Sequence, residues 1–228
     1  MSDLIDTTEM YLKTIYELLE EGIVPLRARI AERLGHSGPT VSQTVARMER
    51  DDLVVVTDDR HLELTRTGHA RAMHVMRKHR LAERLLTDVI GLEWPRVHEE
   101  ACRWEHVMSG EVEARLITLL GHPDHDPYGN PIPGLDELGE KRAEPFLAGV
   151  TSLLAAVTAG ENQFTVRRIG EPLQVDVELL RRFEESAVLP GARVTVTREP
   201  ATLSLQAEGS EIVLDLPSEL ARHVFVEV

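Results

Sequence analysis

Three residue types that ligate metals occur at helical spacing near the middle of the chain. Cys102, Glu105 and His106 occupy positions i, i+3 and i+4, so a helix would place all three side chains on one face. His98 lies four residues before Cys102 and extends the same stripe. A thiolate, a carboxylate and an imidazole together suit a transition-metal ion, whereas Mg²⁺ and Ca²⁺ prefer oxygen ligands. The spacing therefore predicts a site for a divalent transition metal.

A second candidate pair, His79 and Glu83, lies on the preceding predicted helix, again four residues apart. These residues alone leave simpler interpretations open, because His–Glu pairs at this spacing are common on helix surfaces and a single cysteine commonly behaves as a small buried hydrophobe. Met10, on the first predicted helix, is by type a core residue. Ligation at each position is a hypothesis that needs support from the rest of the chain.

Catalysis receives less support from the sequence. The chain contains no Gly-x-Ser-x-Gly, no phosphate-binding glycine loop and no His-Glu-x-x-His. A mononuclear metal hydrolase with Glu105 or Glu83 as its base needs an open coordination position and a substrate cleft, and the sequence indicates neither. We therefore expect a protein without enzymatic activity.

The elements before the metal-ligand cluster predict a DNA-binding domain. A helix is expected over residues 3–21, and two short helices over 26–34 and 37–50 flank a tight, glycine-containing turn. Two helices joined in this way form a helix-turn-helix. The β-branched segment 53–57 and the alternating segment 61–65 follow as a hairpin, in the position of a wing.

Charge is distributed unevenly along this acidic chain, whose 228 residues carry a formal net charge of −14. Within residues 22–50, five arginines face only two glutamates, which leaves a local charge of +3 on the predicted helix-turn-helix. Local fields decide contacts with nucleic acid, so the overall charge does not exclude them. We expect such a protein to bind DNA when dimerisation or a bound cation strengthens the contact.

Helices and then short strands follow the wing. The expected helices are 69–90, 95–107 and 109–120. After a turn-rich segment at 121–134, the sequence changes near residue 151 to short, mostly alternating segments with one helix near 176–187, and this pattern predicts a small β barrel. The strand segments are 165–169, 173–177, 192–197, 202–205, 211–214 and 224–228.

These elements predict three domains. The expected fold is mainly α, with a C-terminal β barrel. The expected bounds are 1–73 for the winged helix, 74–140 for the helical domain, 141–150 for a linker and 151–228 for the barrel. Cys102 is the only cysteine, so no intrachain disulfide forms and a reducing compartment is expected. With no apolar run of about 18 residues and no signal peptide, we expect a cytoplasmic protein that does not contact a membrane.

Six segments carry a specific resemblance to a known family. They are DTTEMYL at 6–12, PLRARIAERL at 25–34, SGPTVSQTVARMER at 37–50, MRKHRLAERLL at 76–86, EACRWEHVM at 100–108 and GNPIPG at 129–134. They closely resemble the diphtheria toxin repressor family, in particular its actinobacterial iron-dependent regulator branch. The match is nearly continuous over 1–140 and weaker over 141–228. It implies a metal-activated transcriptional repressor, a homodimer whose helical domain dimerises and binds metal and whose barrel is SH3-like.

The resemblance also implies two metal sites per subunit. The primary, activating site is similar to one formed by Met10, Cys102, Glu105 and His106. The ancillary site resembles one that adds a Glu and a Gln, three residues apart in the barrel, to ligands of the helical domain. Its residues here would be His79, Glu83, His98, Glu171 and Gln174.

Fe²⁺ is the expected cofactor. Two sulfur donors beside one carboxylate and one imidazole suit Fe²⁺ better than the harder Mn²⁺. A manganese-responsive repressor of the same family is the main alternative, and it would have oxygen ligands in place of the sulfurs at positions 10 and 102. Mn²⁺, Co²⁺, Ni²⁺ and Zn²⁺ are expected to substitute in vitro.

A switching mechanism follows from where the primary ligands stand in the sequence. Met10 belongs to the predicted DNA-binding domain, whereas the other three ligands belong to the helical domain, so shared ligation would tie the two domains together. We expect this tie to move the N-terminal turn, residues 4–7, so that it no longer obstructs the DNA backbone. Different affinities of the metal for the two states would make its binding a switch.

The resemblance implies that the winged helix contacts DNA. The expected partner is a double-stranded palindromic operator that two dimers bind. Arginines suit phosphates, Gln43 is expected to read a base edge, and Ser37 and Pro39 can contact thymine methyl groups. Because few side chains read bases, part of the specificity is expected from DNA shape. The full set is Thr7, Arg27, Ala28, Ser37, Pro39, Thr40, Ser42, Gln43, Arg47, Arg50 and Arg60.

A peptide-binding adaptor built on the barrel is an alternative from a different class of protein. It would need a groove lined with aromatic residues, and only Phe164, Phe183 and Phe225 fall in the barrel region. The sequence therefore favours the metal-dependent repressor over this adaptor and over a metal hydrolase.

Overall fold

In the computed structural model, which describes residues 6–228, Asp6 caps the first helix, α1 (Thr7–Glu20). Its carboxylate accepts hydrogen bonds from the backbone N–H groups of Thr8 at 2.7 Å and Glu9 at 3.2 Å. Residues 3–5 of the predicted helix, and with them part of the predicted N-terminal turn at 4–7, lie outside the described residues.

Helices α2 (Arg27–Leu34) and α3 (Gly38–Arg50) form the predicted helix-turn-helix. Gly35 ends α2 in the left-handed conformation, with a φ of 64° that glycine adopts without steric cost. Ser37 then caps α3, because its Oγ accepts the N–H of Thr40 at 3.4 Å. The predicted glycine-containing turn between the two helices is therefore confirmed.

The wing is a hairpin of β1 (Val54–Val56) and β2 (Leu62–Leu64), paired antiparallel with Val54 opposite Leu64. One hydrophobic core joins this hairpin to the three helices. Its buried members are Tyr11, Leu12, Ile15, Leu18, Ile30, Val41, Val45, Met48, Leu53, Val54, Leu62 and Ala72.

Helix α4 (Arg66–Leu85) begins directly after the wing, and Gly68 in its first turn packs against the wing backbone. A Cβ on Gly68 would lie 1.8 Å from the carbonyl oxygen of Leu53, a distance at which backbone must move. The same oxygen accepts the N–H of Thr65 at 3.1 Å. Only glycine therefore fits where this helix leaves the wing.

Two of the next predicted helices end differently from expectation. Regular helix in α4 stops at Leu85, and a π-helical turn, Leu86–Ile90, precedes Gly91, which directly follows the predicted helix 69–90 and has a φ of 72°. A 3-10 turn, Trp94–Arg96, leads into α5 (Val97–Trp104).

The predicted helix over 95–107 is wrong at its C-terminal end. After Trp104 the chain forms a turn over residues 105–107, because the N–H groups of Val107 and Met108 both bond the Trp104 carbonyl, at 3.1 and 3.2 Å. Helix α6 (Gly110–Leu119) then begins at its cap Ser109. A turn, and not continuous helix, therefore carries Glu105 and His106.

The described chain divides into two compact units that alternate along the sequence. The first unit contains three stretches: the described residues that end at Ala82, then Cys102–His122, and then Ile132–Ala143. The second unit contains Glu83–Ala101, Pro123–Pro131 and Glu144–Val228. The predicted domain bounds of 1–73, 74–140, 141–150 and 151–228 stay a prediction. None of the helices described over residues 6–228 is long and apolar enough to cross a membrane.

The second unit contains a six-stranded antiparallel sheet with strand order β3-β8-β4-β5-β6-β7. Its strands are β3 (Val150–Ser152), β4 (Gln163–Ile169), β5 (Arg193–Arg198), β6 (Thr202–Ala207), β7 (Val213–Pro217) and β8 (Val224–Glu227). The helices of the same segment, Glu144–Val228, are α7 (Leu153–Thr158), α8 (Glu171–Gln174) and α9 (Val177–Glu185). The sequence did not predict β3 or α7.

The predicted strand at 173–177 is wrong, because this segment is helical. Gly170 precedes α8, Pro172 stands in its first turn, and the Asp176 carboxylate caps α9 by accepting the N–H groups of Glu178 and Leu179, both at 3.0 Å. The helical backbone places Glu171 and Gln174 one turn apart, and both are buried.

Candidate metal centres and DNA-binding face

Glu105 is the centre of a buried polar cluster in the first unit. Its side chain is 2% exposed, and its Oε2 lies 2.9 Å from Lys13 Nζ and 2.6 Å from His79 Nδ1. Its Oε1 lies 3.3 Å from His106 Nε2. Burial favours the neutral acid, but the charges of Lys13 and His79 and their hydrogen bonds outweigh it and lower the pKa of Glu105 to about 2. Glu105 is therefore a carboxylate throughout the physiological pH range.

Lys13 supplies the cation of this cluster. Besides Glu105, its Nζ lies 2.9 Å from His79 Nδ1 and 3.7 Å from Cys102 Sγ. The residue is 5% exposed, whereas Cys102 is half-buried. The predicted primary ligands Cys102 and Glu105 thus share one ammonium group as a neighbour. The sequence analysis missed Lys13, although its place three residues after Met10 on α1 put it on the same side of that helix.

Glu9 holds the other nitrogen of His106. Its Oε2 lies 2.7 Å from His106 Nδ1, and its Oε1 lies 3.8 Å from Arg71. Burial disfavours the imidazolium, but the hydrogen bond to Glu9 and the charge of Glu105 outweigh it, so the pKa of His106 is raised. Glu9 directly precedes Met10, which is half-buried on α1. The segment Glu9–Lys13 therefore contacts the turn that carries Glu105 and His106. Glu9 is a second residue that the sequence analysis missed.

Three of the predicted ancillary ligands come together in the second unit, and a fourth, Gln174, is buried in the same unit. Glu83, His98, Glu171 and Gln174 are 0%, 5%, 4% and 1% exposed. His98 Nδ1 lies 3.3 Å from Glu83 Oε1 and 3.4 Å from Glu171 Oε2, and the ligand atoms of these three residues all lie within 4.8 Å of one another.

Gln174 adds an amide oxygen to this unit. Its Nε2 donates to the carbonyl of Ile169 at 2.8 Å, which fixes the side chain. Its Oε1 accepts no hydrogen bond from any residue between 6 and 228. A buried acceptor without a donor is costly, and a cation would satisfy it. Two carboxylates and an imidazole form a donor set that fits a divalent metal, and this oxygen lies one helical turn after Glu171 as a further oxygen donor.

His79 stands one turn before Glu83 on α4 and is fully buried. Its Nδ1 lies 2.6 Å from Glu105 Oε2 and 2.9 Å from Lys13 Nζ, so the structure places this predicted ancillary ligand against the Glu105 cluster through that nitrogen.

The predicted DNA-contacting residues are mostly exposed on the winged helix. Arg27 is half-buried. The exposed residues are Ser37, Pro39, Thr40, Ser42, Gln43, Arg47 and Arg50 at the cap and along α3, and Thr7, Ala28 and Arg60 elsewhere. Arg60 stands in the wing turn with a φ of 67°. Arg47 Nη2 donates to the Thr8 hydroxyl at 3.2 Å, which links the exposed face of α3 to the first turn of α1.

Three family models match consecutive parts of the chain. Residues 3–62 match the iron dependent repressor N-terminal DNA binding domain, and residues 65–134 match the iron dependent repressor metal binding and dimerisation domain. Residues 153–228 match the FeoA domain. The iron-dependent repressor IdeR of Mycobacterium leprae (strain TN) is 56% identical over 232 residues, which cover 100% of this chain and 99% of that protein. The chain belongs to the iron-dependent repressor family.

Other relatives share this build over their whole length. The diphtheria toxin repressor of Corynebacterium diphtheriae is 52% identical over 227 residues, which cover 100% of this chain and 99% of that protein. The crystal structure of T. acidophilum IdeR superposes with a TM-score of 0.76 at 27% identity, covering 98% of each chain. A solved manganese-dependent transcriptional repressor in complex with manganese gives a TM-score of 0.80 at 29% identity, covering 97% of this chain and 99% of that one.

Family membership confirms the predicted fold class and the predicted class of function. The chain combines a winged helix-turn-helix domain, a helical dimerisation domain and a C-terminal FeoA domain of the SH3-like type. It is a DNA-binding transcriptional repressor of a metal-dependent family.

Proposed function

We propose that this iron-dependent repressor family member binds Fe²⁺ at two sites per subunit and represses metal-homeostasis genes when the metal is bound. One observation carries the proposal: the segment Glu9–Lys13 of the DNA-binding helix α1 contacts the turn of Glu105 and His106 through two buried or half-buried pairs. A ligand set shared between α1 and this turn gives metal binding a direct route to the winged helix.

The proposed primary site consists of Met10, Cys102, Glu105 and His106. When bound there, the metal would supply a divalent positive charge shared by two sulfurs, one carboxylate and one imidazole. Glu9 holds His106 Nδ1, so His106 Nε2, which already faces Glu105, is the nitrogen for ligation. The two sulfurs favour Fe²⁺ over Mn²⁺. Met10 would then hold α1 to the Glu105 turn and set the position of residues 4–7.

The proposed ancillary site consists of Glu83, His98, Glu171 and Gln174, with His79 as the fifth ligand. The convergence of Glu83 and Glu171 on His98 and the unsatisfied oxygen of Gln174 support it. Ligation by His79 would use its Nε2, because its Nδ1 bonds Glu105. The oxygen-rich donor set is harder than the primary one, so this site should select less strongly among divalent metals.

We also propose the DNA partner and the assembly. The repressor would bind a palindromic operator in the cytoplasm as a homodimer, with two dimers per operator, and without catalytic activity. The proposed domain bounds are 1–73, 74–140, 141–150 and 151–228. The dimer suits a palindrome, because two-fold protein symmetry matches two-fold operator symmetry.

Fluorescence anisotropy of a labelled palindromic operator, measured without oxygen, tests this function. With chelator we expect weak binding, and titrated Fe²⁺ should give tight binding at a lower free concentration than Mn²⁺. Binding that ignores metal would overturn the metal switch, and activation at lower free Mn²⁺ would favour the manganese-responsive alternative.

Removing the thioether of the primary site should uncouple metal from DNA. We expect Met10→Ala to weaken Fe²⁺-stimulated operator binding by about 10–100-fold, because the ligand on α1 is lost. Met73→Ala is the matched control, since Met73 is also half-buried in the first unit but outside the site. Unchanged metal stimulation in Met10→Ala would disprove the proposed tie through Met10.

Arg50 and Gln43 should have different effects on DNA binding, because we assign them to phosphate and base contacts. Arg50→Ala should weaken binding to all sequences alike and lower the salt dependence, whereas Gln43→Ala should change the preference among operator variants. Binding to a panel of single-base operator variants measures both effects. If the two variants gave the same sequence profile, the assignment of roles would be wrong.

A further inference from the structure

Lys13 places a positive charge among the residues that we propose as primary metal ligands. Its ammonium group lies 2.9 Å from Glu105 Oε2 and 3.7 Å from Cys102 Sγ, and it also contacts His79 Nδ1 at 2.9 Å. The residue is 5% exposed, so the contact is made away from bulk water. No ligand role suits an ammonium group, which has three donors and no lone pair.

We propose that the Lys13 ammonium is the internal counter-ion of the primary site, and that a divalent cation binds there by displacing it from Glu105. Lys13 thereby sets the metal concentration at which the repressor responds. This inference rests on the proposed metal-activated function.

Electrostatics makes the two cations competitors. Glu105 is 2% exposed and its Oε2 already accepts from Lys13 and His79, so a cation that uses this oxygen replaces one of them. An ammonium and a divalent ion held a few ångströms apart in a buried site repel each other with little screening. Each therefore weakens the binding of the other, and the pairing that stabilises the metal-free cluster lowers its metal affinity.

Helix α1 offers the displaced ammonium other carboxylates. Glu9 and Glu17 lie one turn before and one turn after Lys13, on the same side of the helix. The flexible four-carbon stem of lysine lets its charge move to such a neighbour without movement of the helix. The displaced ammonium would share these carboxylates with their present partners, His106 for Glu9 and Arg33 for Glu17.

The test is the metal affinity of Lys13→Met, which keeps the length of the side chain and removes the charge. Co²⁺ is the probe, titrated by calorimetry into the full chain at one fixed pH, and the thiolate-to-cobalt absorption of Cys102 reports binding at the primary site. We expect Lys13→Met to bind Co²⁺ at this site roughly tenfold more tightly or better, because the competing charge is gone. Lys13→Arg, which keeps a cation, should stay near the wild type.

Two controls separate this effect from a general change in charge or folding. Lys141→Met removes the same charge from an exposed position and should leave the Co²⁺ affinity unchanged. Thermal unfolding with chelator should show a lower midpoint for Lys13→Met than for the wild type. Saturating Co²⁺ should raise the midpoint of Lys13→Met by more than it raises the midpoint of the wild type. Lys13→Gln gives the same readouts if Lys13→Met does not fold without metal.

The outcomes distinguish this inference from the proposed function. If the wild type binds Co²⁺ with the thiolate absorption and the neutral variants bind it equally or more weakly, Lys13 is a structural partner and the counter-ion proposal is overturned. If neither the wild type nor the neutral variants bind Co²⁺, the proposed metal activation fails and the counter-ion proposal fails with it.

Discussion

Replacing Glu105 by Gln should abolish metal-stimulated DNA binding and also lower the free energy of unfolding by about 3 kcal/mol. The substitution removes a carboxylate that faces Lys13, His79 and His106 at once. Lys13, His79 and His106 would each lose a buried carboxylate partner, and removal of one member of such a pair is strongly destabilising. Chemical denaturation with chelator measures the stability, and operator anisotropy with Fe²⁺ measures the metal response.

The pH dependence of this loss has a definite sign. The folded chain lowers the pKa of Glu105 from 4.5 to about 2, so its charge stabilises the fold above about pH 4.5 and this contribution disappears as the pH falls through 2. The stability difference between wild type and Glu105→Gln should therefore be full at pH 7 and should shrink below pH 4.5. A difference that stays constant from pH 7 to pH 3 would contradict the assignment of the effect to the Glu105 charge.

Glu113→Gln is the matched control for this experiment. Glu113 is 3% exposed and its Oε1 lies 2.6 Å from Arg77 Nε, so its loss also breaks a buried ion pair in the first unit. We expect Glu113→Gln to be destabilising but to retain Fe²⁺-stimulated operator binding. If both variants lost the metal response equally, the effect of Glu105→Gln would reflect stability alone.

Gly68→Ala should destabilise the winged helix by about 3 kcal/mol, a shift of about 6–12 °C in the thermal midpoint. The added Cβ would meet the Leu53 carbonyl oxygen at 1.8 Å, and this neighbour is backbone that cannot rotate away. The clash separates α4 from the wing, so DNA binding should fall together with stability. Thermal unfolding followed by circular dichroism gives the midpoint.

Gly110→Ala tests whether the effect belongs to the position. Gly110 begins α6, and a Cβ there meets no atom within 4 Å. Alanine favours helix over glycine, so this variant should be neutral or more stable by up to about 1 kcal/mol. A midpoint for Gly68→Ala equal to that of Gly110→Ala would show that the backbone at Leu53 yields easily.

Local signals account for the parts of the fold that the sequence predicts well. The Ser37 hydroxyl and the glycines at 35 and 91 act within their own stretch of chain, so each marks a helix boundary without knowledge of the tertiary structure. The strand predicted at 173–177 failed because its apparent alternation competed with Gly170, Pro172 and Asp176, which are helix-start residues and decided the local conformation.

The metal clusters show where such local inference ends. Spacing predicted Cys102, Glu105 and His106 on one helix face, but helix α5 ends at Trp104, and a turn carries Glu105 and His106. Lys13 and Glu9 join them through tertiary contacts between segments about 90 residues apart, and no spacing rule covers such contacts. Glu171 and Gln174 were assigned by resemblance alone, since nothing local connects them to Glu83.

The alternation of the two units along the chain has a consequence for synthesis on the ribosome. Glu83 and His98 emerge early, but the strands and the helix that bring Glu171 and Gln174 to them belong to the last segment of the second unit, Glu144–Val228. Glu83 and His98 therefore meet Glu171 only after the segment Glu144–Val228 has been synthesised. A nascent chain, or a product cut within 141–150, retains Glu83 and His98 but lacks the buried surroundings that hold them. We expect quality-control proteases to cleave this incomplete unit before the first unit.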